Sequence, residues 1–154
     1  MTNDEEVATL HEATEVDEED FWLADKTILV REEAEARPAY DLEERTARFG
    51  EMVIDFAKTI PQSPVTNRII GQLIGAGTSV GANYVEADDS ISKKEFLKYI
   101  GICKKEAREA KHFLRMAVRA APDLKPEARR VWMEARQLHL IFAKIWRSGK
   151  ANSE

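Results

Sequence analysis

The chain has 154 residues and a mass of 17.5 kDa, with 44% apolar and 33% charged side chains. That composition suits one globular domain with a real core and is too short for two ordinary ones. Its single cysteine, Cys103, excludes an intrachain disulfide and a zinc site built on cysteines. No apolar run reaches the ~18 residues of a membrane helix, and the acidic start Met1-Thr2-Asn3-Asp4-Glu5-Glu6 is unlike a secretory leader. A soluble, cytoplasmic protein without membrane contact is expected.

The formal net charge of −5 hides an asymmetry. Residues 1–40 carry 13 acidic and 3 basic side chains, a net of −10. Residues 41–154 carry 15 acidic and 20 basic ones, a net of +5. Residues 1–20 hold nine acids, one leucine and no aromatic, so they bury too little to offset their ordering entropy and are expected to be disordered. An apolar island at 21–30, Phe21-Trp22-Leu23 with Ile28-Leu29-Val30, follows before Pro38. An island of this kind inside an arm is expected to dock, most simply on its own domain.

The helical pattern begins at Asp41. Leu42, Thr46, Phe49, Val53, Phe56 and Ile60 recur at spacings of three and four. Pro61 stops that helix. Ser63-Pro64 offers an N-cap and a first-turn proline for a second helix running to about Asp88. Ser92-Lys93-Lys94-Glu95 reads as a capping box opening a third helix, which Pro122 ends. A fourth starts at Asp123 or Pro126, carries Trp132, Leu138, Phe142, Ile145 and Trp146, and is closed by Gly149. No strand alternation competes. The fold class is all-α, an up-down four-helix bundle over 41–149 with a short tail at 150–154.

Catalytic and metal chemistry find no residues. A di-iron centre in a bundle needs two Glu-x-x-His pairs and two more glutamates pointing inward. Glu109-Ala110-Lys111-His112 is a single pair, and it projects to the polar side of the third helix. Cys103 lies at the centre of the apolar arc with no base placed beside it, and so reads as a small hydrophobe. Gly75-Ala76-Gly77 with Gly81 follows no strand and is no phosphate loop. No enzyme activity, cofactor or metal is expected.

Two helix faces stand out. On the second helix Gly71, Gly75, Thr78 and Ala82 form one ridge, and Leu73, Ile74, Gly77 and Tyr84 add a wide apolar arc. Each glycine costs a helix up to ~1 kcal/mol against alanine, so something should offset it. Tight packing inside one subunit and contact between subunits both fit, and the interface is the expectation, with Gly71, Gly75, Thr78, Ala82 and Tyr84 in it. On the third helix Lys94, Lys98, Lys105, Arg108, Arg115 and Arg119 project within an arc of about 100°, with Lys111 at its edge. This basic stripe would run roughly 37 Å. Such stripes hold phosphates by charge and counterion release. A plain solvated face has the same composition. No aromatic stands within the stripe to stack bases.

Gly77-Thr78-Ser79-Val80-Gly81-Ala82-Asn83-Tyr84-Val85-Glu86-Ala87, then Ser92 and Phe96, then Lys105-Glu106-Ala107-Arg108-Glu109, resemble the four-helix bundle protein family. That family is also called the S23 or ribosomal RNA intervening-sequence protein family, and it includes the accessory variability proteins of diversity-generating retroelements. The resemblance covers about residues 41–148. It implies a bundle assembled into a ring, typically a homopentamer, without catalytic activity. For the retroelement members it implies a basic surface that binds nucleic acid and a partner reverse transcriptase. Family members often carry Arg where this chain has Gly75 and Val85, which leaves the third helix as the better nucleic-acid candidate here. Phe113 stands near a position where the family often places Trp. The acidic arm lies outside the family pattern.

Two functions remain open at this point. One is a homo-oligomeric accessory protein that binds RNA or DNA, partnered with a reverse transcriptase. The other is a structural or interaction bundle whose basic face binds an acidic protein. The arm has two roles to match: competitor for the basic face, or solubilising tail. A tether holds it near the body at an effective concentration on the order of millimolar. Competition predicts that a chain beginning at Asp41 binds nucleic acid more tightly than the full chain at low salt, and that the gap closes as salt rises. Equal affinity at low salt makes the arm passive toward nucleic acid.

Overall fold

Side-chain caps open three of the four helices. The computed structural model describes residues 41–152. The arm 1–40, with its expected disorder, its apolar island and its docking, lies outside the described residues, as do 153–154. The Asp41 carboxylate accepts from the Glu44 amide at 3.0 Å and starts α1 (Leu42–Thr59). Ser63 Oγ accepts from the Thr66 amide at 3.1 Å and starts α2 (Pro64–Asp88), with Pro64 in the first turn where its missing N–H costs nothing. Ser92 Oγ accepts from the Glu95 amide at 3.1 Å and starts α3 (Lys93–Ala120). The Glu95 carboxylate reaches back to the Ile91 amide at 3.1 Å, one residue earlier than the expected capping box has it. A 3₁₀ turn, Pro122–Leu124, leads into α4 (Lys125–Ala151).

Among the described residues there are four long helices and no strand. Each helix packs on its chain neighbours and α4 returns to α1, which closes a four-helix bundle. The expected ends hold within a residue or two, except at the last. α4 runs through Gly149 to Ala151. The reason is contact: Gly149 faces Leu97 of α3, and a Cβ there would collide with the Leu97 methyls. Gly149 is therefore a packing glycine inside a helix, not a terminator.

The core is the predicted periodic set. Phe49, Val53, Leu73, Val80, Ile100, Leu114, Leu138 and Phe142 are each 0% exposed. Cys103 is also fully buried, with its Sγ 3.4 Å from the Val80 carbonyl oxygen. The buried hydroxyls are satisfied: Thr46 donates to the Leu42 carbonyl at 2.6 Å and Thr66 to the Pro61 carbonyl at 2.6 Å. Phe96 and Trp146, both expected on apolar faces, are only half-buried.

Close helix approach occurs where α2 meets α1. A Cβ at Gly77 would fall 2.6 Å from Val53 Cγ2, and one at Gly81 would fall 3.3 Å from Thr46 Oγ1. Gly50 of α1 faces the same seam, where its Cβ would fall 3.6 Å from the Thr78 Cα. One polar clip joins α1 to α4. Arg45 donates to both Glu134 carboxylate oxygens, at 2.8 and 3.2 Å, and to Gln137 Oε1 at 2.6 Å. This half-buried bidentate pair fixes a geometry that exposed lysine pairs do not.

Gly77→Ala should therefore lower stability by about 1–3 kcal/mol, because Val53 has branched methyls with nowhere to move. Gly75→Ala should lose no packing among the described residues and gain up to ~1 kcal/mol of helix propensity within the subunit. Urea midpoints of the two variants check the pair.

Candidate nucleic-acid interface

The stripe on α3 forms as the helical period requires. Lys94, Lys98, Lys105, Arg108, Arg115 and Arg119 are all exposed. None of them pairs with a carboxylate among the described residues, where the ion pairs include Arg45–Glu134, Arg48–Glu44 and Arg130–Glu127. Among the described residues no carboxylate balances this row of cations, which leaves it to mobile counterions there. Those counterions are what a polyanion releases on binding. His112 lies in the same row, exposed, with its ring edge-on to Phe113 at 5.1 Å.

Lys111 departs from the row. It is half-buried, and its ammonium sits 5.6 Å from the centre of the Trp132 ring. Burial lowers its pKa, with Arg136 and Arg108 adding repulsion. It belongs to the seam where α3 packs on α4. Lys104 belongs there too, with its ammonium 5.0 Å from the centre of the Trp146 ring. Lys150 approaches the same ring at 5.3 Å.

On the α4 side of this seam stand Arg136 and His139, which sequence reasoning missed. Arg136 Nε is buried and has no hydrogen-bond partner among the described residues. Burial pushes His139 down to about 4, and Lys111, Lys104, Arg108 and Arg136 push in the same direction. The imidazole is neutral at pH 7 because charging it would add a further cation to a crowded, partly dry place. The signal was present in the spacing. Trp132, Arg136 and His139 fall at i, i+4 and i+7 on α4, as Lys104, Arg108 and Lys111 do on α3.

The seam has no bare aromatic face to offer a base. Trp132 is 8% exposed, and Trp146 is half-buried with two lysines against it. The surface is suited to phosphates and sugars more than to base edges.

The α2 ridge is a separate face. Gly71, Gly75 and Ala82 are exposed, and a Cβ at either glycine would meet nothing within 4 Å. Among the described residues no backbone approaches them. Thr78 is half-buried, its hydroxyl donating to the Ile74 carbonyl at 2.7 Å. Tyr84, grouped with the ridge in the sequence, projects about 140° away from it. Its ring instead packs on Phe142, 6.0 Å between centres, and burial raises its pKa. No charged residue occurs from Ile69 to Val85.

Burial pushes the Cys103 thiol up to about 12, which leaves no thiolate at neutral pH. Among the described residues no cluster of three or more His, Cys, Asp or Glu could hold a metal. Glu109 and His112 are both exposed, as their side of the helix predicts. Among the same residues no helix is long and apolar enough to cross a membrane.

A four-helix bundle with one unpaired cationic face and one uncharged small-residue face defines the class. The family model of the 23S rRNA-intervening sequence protein matches residues 40–124, and the chain belongs to that family. A crystal structure from Bacteroides thetaiotaomicron VPI-5482, described as a protein of unknown function from the S23 ribosomal protein family, superposes with a TM-score of 0.59. It is 20% identical, over 68% of this chain and 96% of that one, and the likeness speaks for the fold alone. No curated protein matches the chain.

His139 makes folding pH-dependent. Its folded pKa lies below the unfolded value of about 6.5, so the unfolded chain binds the extra proton. Its contribution to stability is full above that unfolded value and is lost as pH falls toward 4. For a half-exposed ring the loss should be roughly 1–2 kcal/mol after solvent screening. His139→Gln should flatten the fall in melting temperature between pH 7 and 4.5.

Proposed function

We propose that this protein is a non-enzymatic, self-associating bundle that binds RNA or DNA through the basic face of α3 and its seam with α4. The observation that carries this reading is the unpaired row from Lys94 to Arg119. A folded domain usually disperses or pairs such charges, because like charges along one face repel. Here the acids Glu95, Glu106 and Glu109 stand on the flank of the helix and leave the row uncompensated. The family's printed name, which refers to an rRNA element, points to the same class of partner. Resemblance to the accessory variability proteins makes a reverse transcriptase the protein partner to test.

Self-association uses the other face. The Ile69–Val85 stretch of α2 spans about five turns without a charge, yet presents Gly71, Gly75 and Ala82 to solvent. An outward strip of this kind is stabilised when a second copy of the chain covers it closely. A closed ring of several copies is the assembly we propose, most simply a pentamer as in the family it resembles. Repetition around a ring would let modest single sites add as avidity.

Two measurements test the reading. Light scattering coupled to size exclusion should give a mass several times 17.5 kDa. Gly75→Leu should return the mass toward one subunit without loss of helix content, since a side chain there meets nothing among the described residues. In fluorescence anisotropy with labelled RNA and DNA, the triple variant K98E/K105E/R108E should bind at least tenfold more weakly, with a shallower dependence on salt. A folded triple variant with unchanged affinity excludes the α3 face. Tight binding of an acidic protein, with no binding of any nucleic acid, would assign that face to a protein partner.

A further inference from the structure

The α3–α4 seam holds more than a row of cations. Lys104, Arg108 and Lys111 descend one helix while Trp132, Arg136 and His139 descend the other, at matching intervals. Lys111 crosses over the Trp132 ring and Lys104 over the Trp146 ring, so both lysine stems lie on aromatic surface. The ring centres stand 5.6 and 5.0 Å from the respective ammonium groups. On the same seam Arg136 keeps a buried Nε without an acceptor. A buried guanidinium N–H without an acceptor is costly and calls for an oxygen ligand.

We propose that this seam is a proton-linked phosphate site, in which an anionic phosphate seated among Lys104, Arg108, Lys111 and Arg136 lets His139 take up a proton. The proposal rests on the nucleic-acid reading for its natural ligand, a phosphodiester backbone. It adds a defined seat and a regulation to that face. The groups acting on His139 are Lys104, Arg108 and Lys111 from α3 and Arg136 from its own helix, and all are cations. Arg136 Nε is buried without an acceptor, so a phosphate at the seam gains that donor when the Arg136 side chain turns toward it. The phosphate's negative charge would cancel the repulsion that keeps the imidazole neutral. Proton and phosphate then favour each other by the same factor, as linkage requires. The protein would grip polyanions more tightly in mildly acidic solution and release them as pH rises.

Two other histidines give ring signals of their own, and the test separates them. His112 lies on the exposed stripe, and His11 lies in the arm outside the described residues. The experiment follows the three histidine ring signals by NMR in the full-length protein, with His139→Gln and His112→Gln making the assignments. Two probes are added in turn: sodium tripolyphosphate and a short poly(U) RNA. Bound tripolyphosphate should return His139 to at least the ordinary histidine value of about 6.5. At pH 5.5 the bound protein then carries a proton that the free protein lacks, and at pH 7.5 neither carries it. Measured against His139→Gln, which cancels the ligand's own protonation, tripolyphosphate should gain roughly tenfold in affinity from pH 7.5 to pH 5.5. His139→Gln should keep its affinity at pH 7.5 and lose that gain.

An unmoved His139 titration with either probe bound overturns the proposal, and so does a full gain in His139→Gln. If tripolyphosphate binds and moves the His139 titration while RNA and DNA do not bind, the seat stands and the nucleic-acid function fails. If RNA binds with His139 unmoved, the function stands and the seat fails. Arg136→Gln adds a check, with a loss of tripolyphosphate affinity of at least fivefold expected. The wild-type titration decides even if that variant folds poorly.

Discussion

The contact of Gly77 with Val53 sets how α2 is turned in the bundle. With no Cβ at Gly77, the Val53 methyls press on the α2 backbone itself. That approach rolls Leu73, Ala76, Val80 and Ala87 into the core. By the helical period it rolls Gly71, Gly75 and Ala82 out to solvent. The uncharged outer strip of α2 is thus a consequence of the inner contact. The inner glycine has a packing reason, and the outer ones meet no atom of the described residues.

The α3–α4 seam answers a different constraint. Two long helices meet beside a stripe of lysines, and each must bury an apolar strip there. The lysine stems serve as part of that apolar surface, against Trp132 and Trp146. The heads that emerge are crowded, with no carboxylate among the groups that act on His139. The bidentate Arg45–Glu134 pair lies on the α1–α4 side of the bundle and does not compensate this face. The charge left unbalanced is the part of the molecule available to a polyanion.

Much of the fold was legible in the residues. Asp41, Ser63 and Ser92 announced three helix starts, and a period of three and four named the core. The end of α4 was not legible, because Gly149 marks a close approach to Leu97 that no local rule contains. The same limit applies to the glycines of α2. Sequence spacing groups Gly71 with Gly75 but cannot say that the near neighbour, Val53, lies across from Gly77 instead. Projection of α3 alone found the exposed stripe, including Lys98, Lys105 and Arg108. It could not find Arg136 and His139, which join the site only when α4 is laid against α3. Their matching spacing with Trp132 was the one available signal.

Lysine acylation footprinting on the full-length protein, with and without bound RNA, tests the central claim most directly. The account predicts that Lys98, Lys104, Lys105 and Lys111 lose reactivity together when RNA is present, while Lys58 at the far end of α1 keeps its own. Protection spread evenly over all lysines, or confined to helices other than α3, would contradict it.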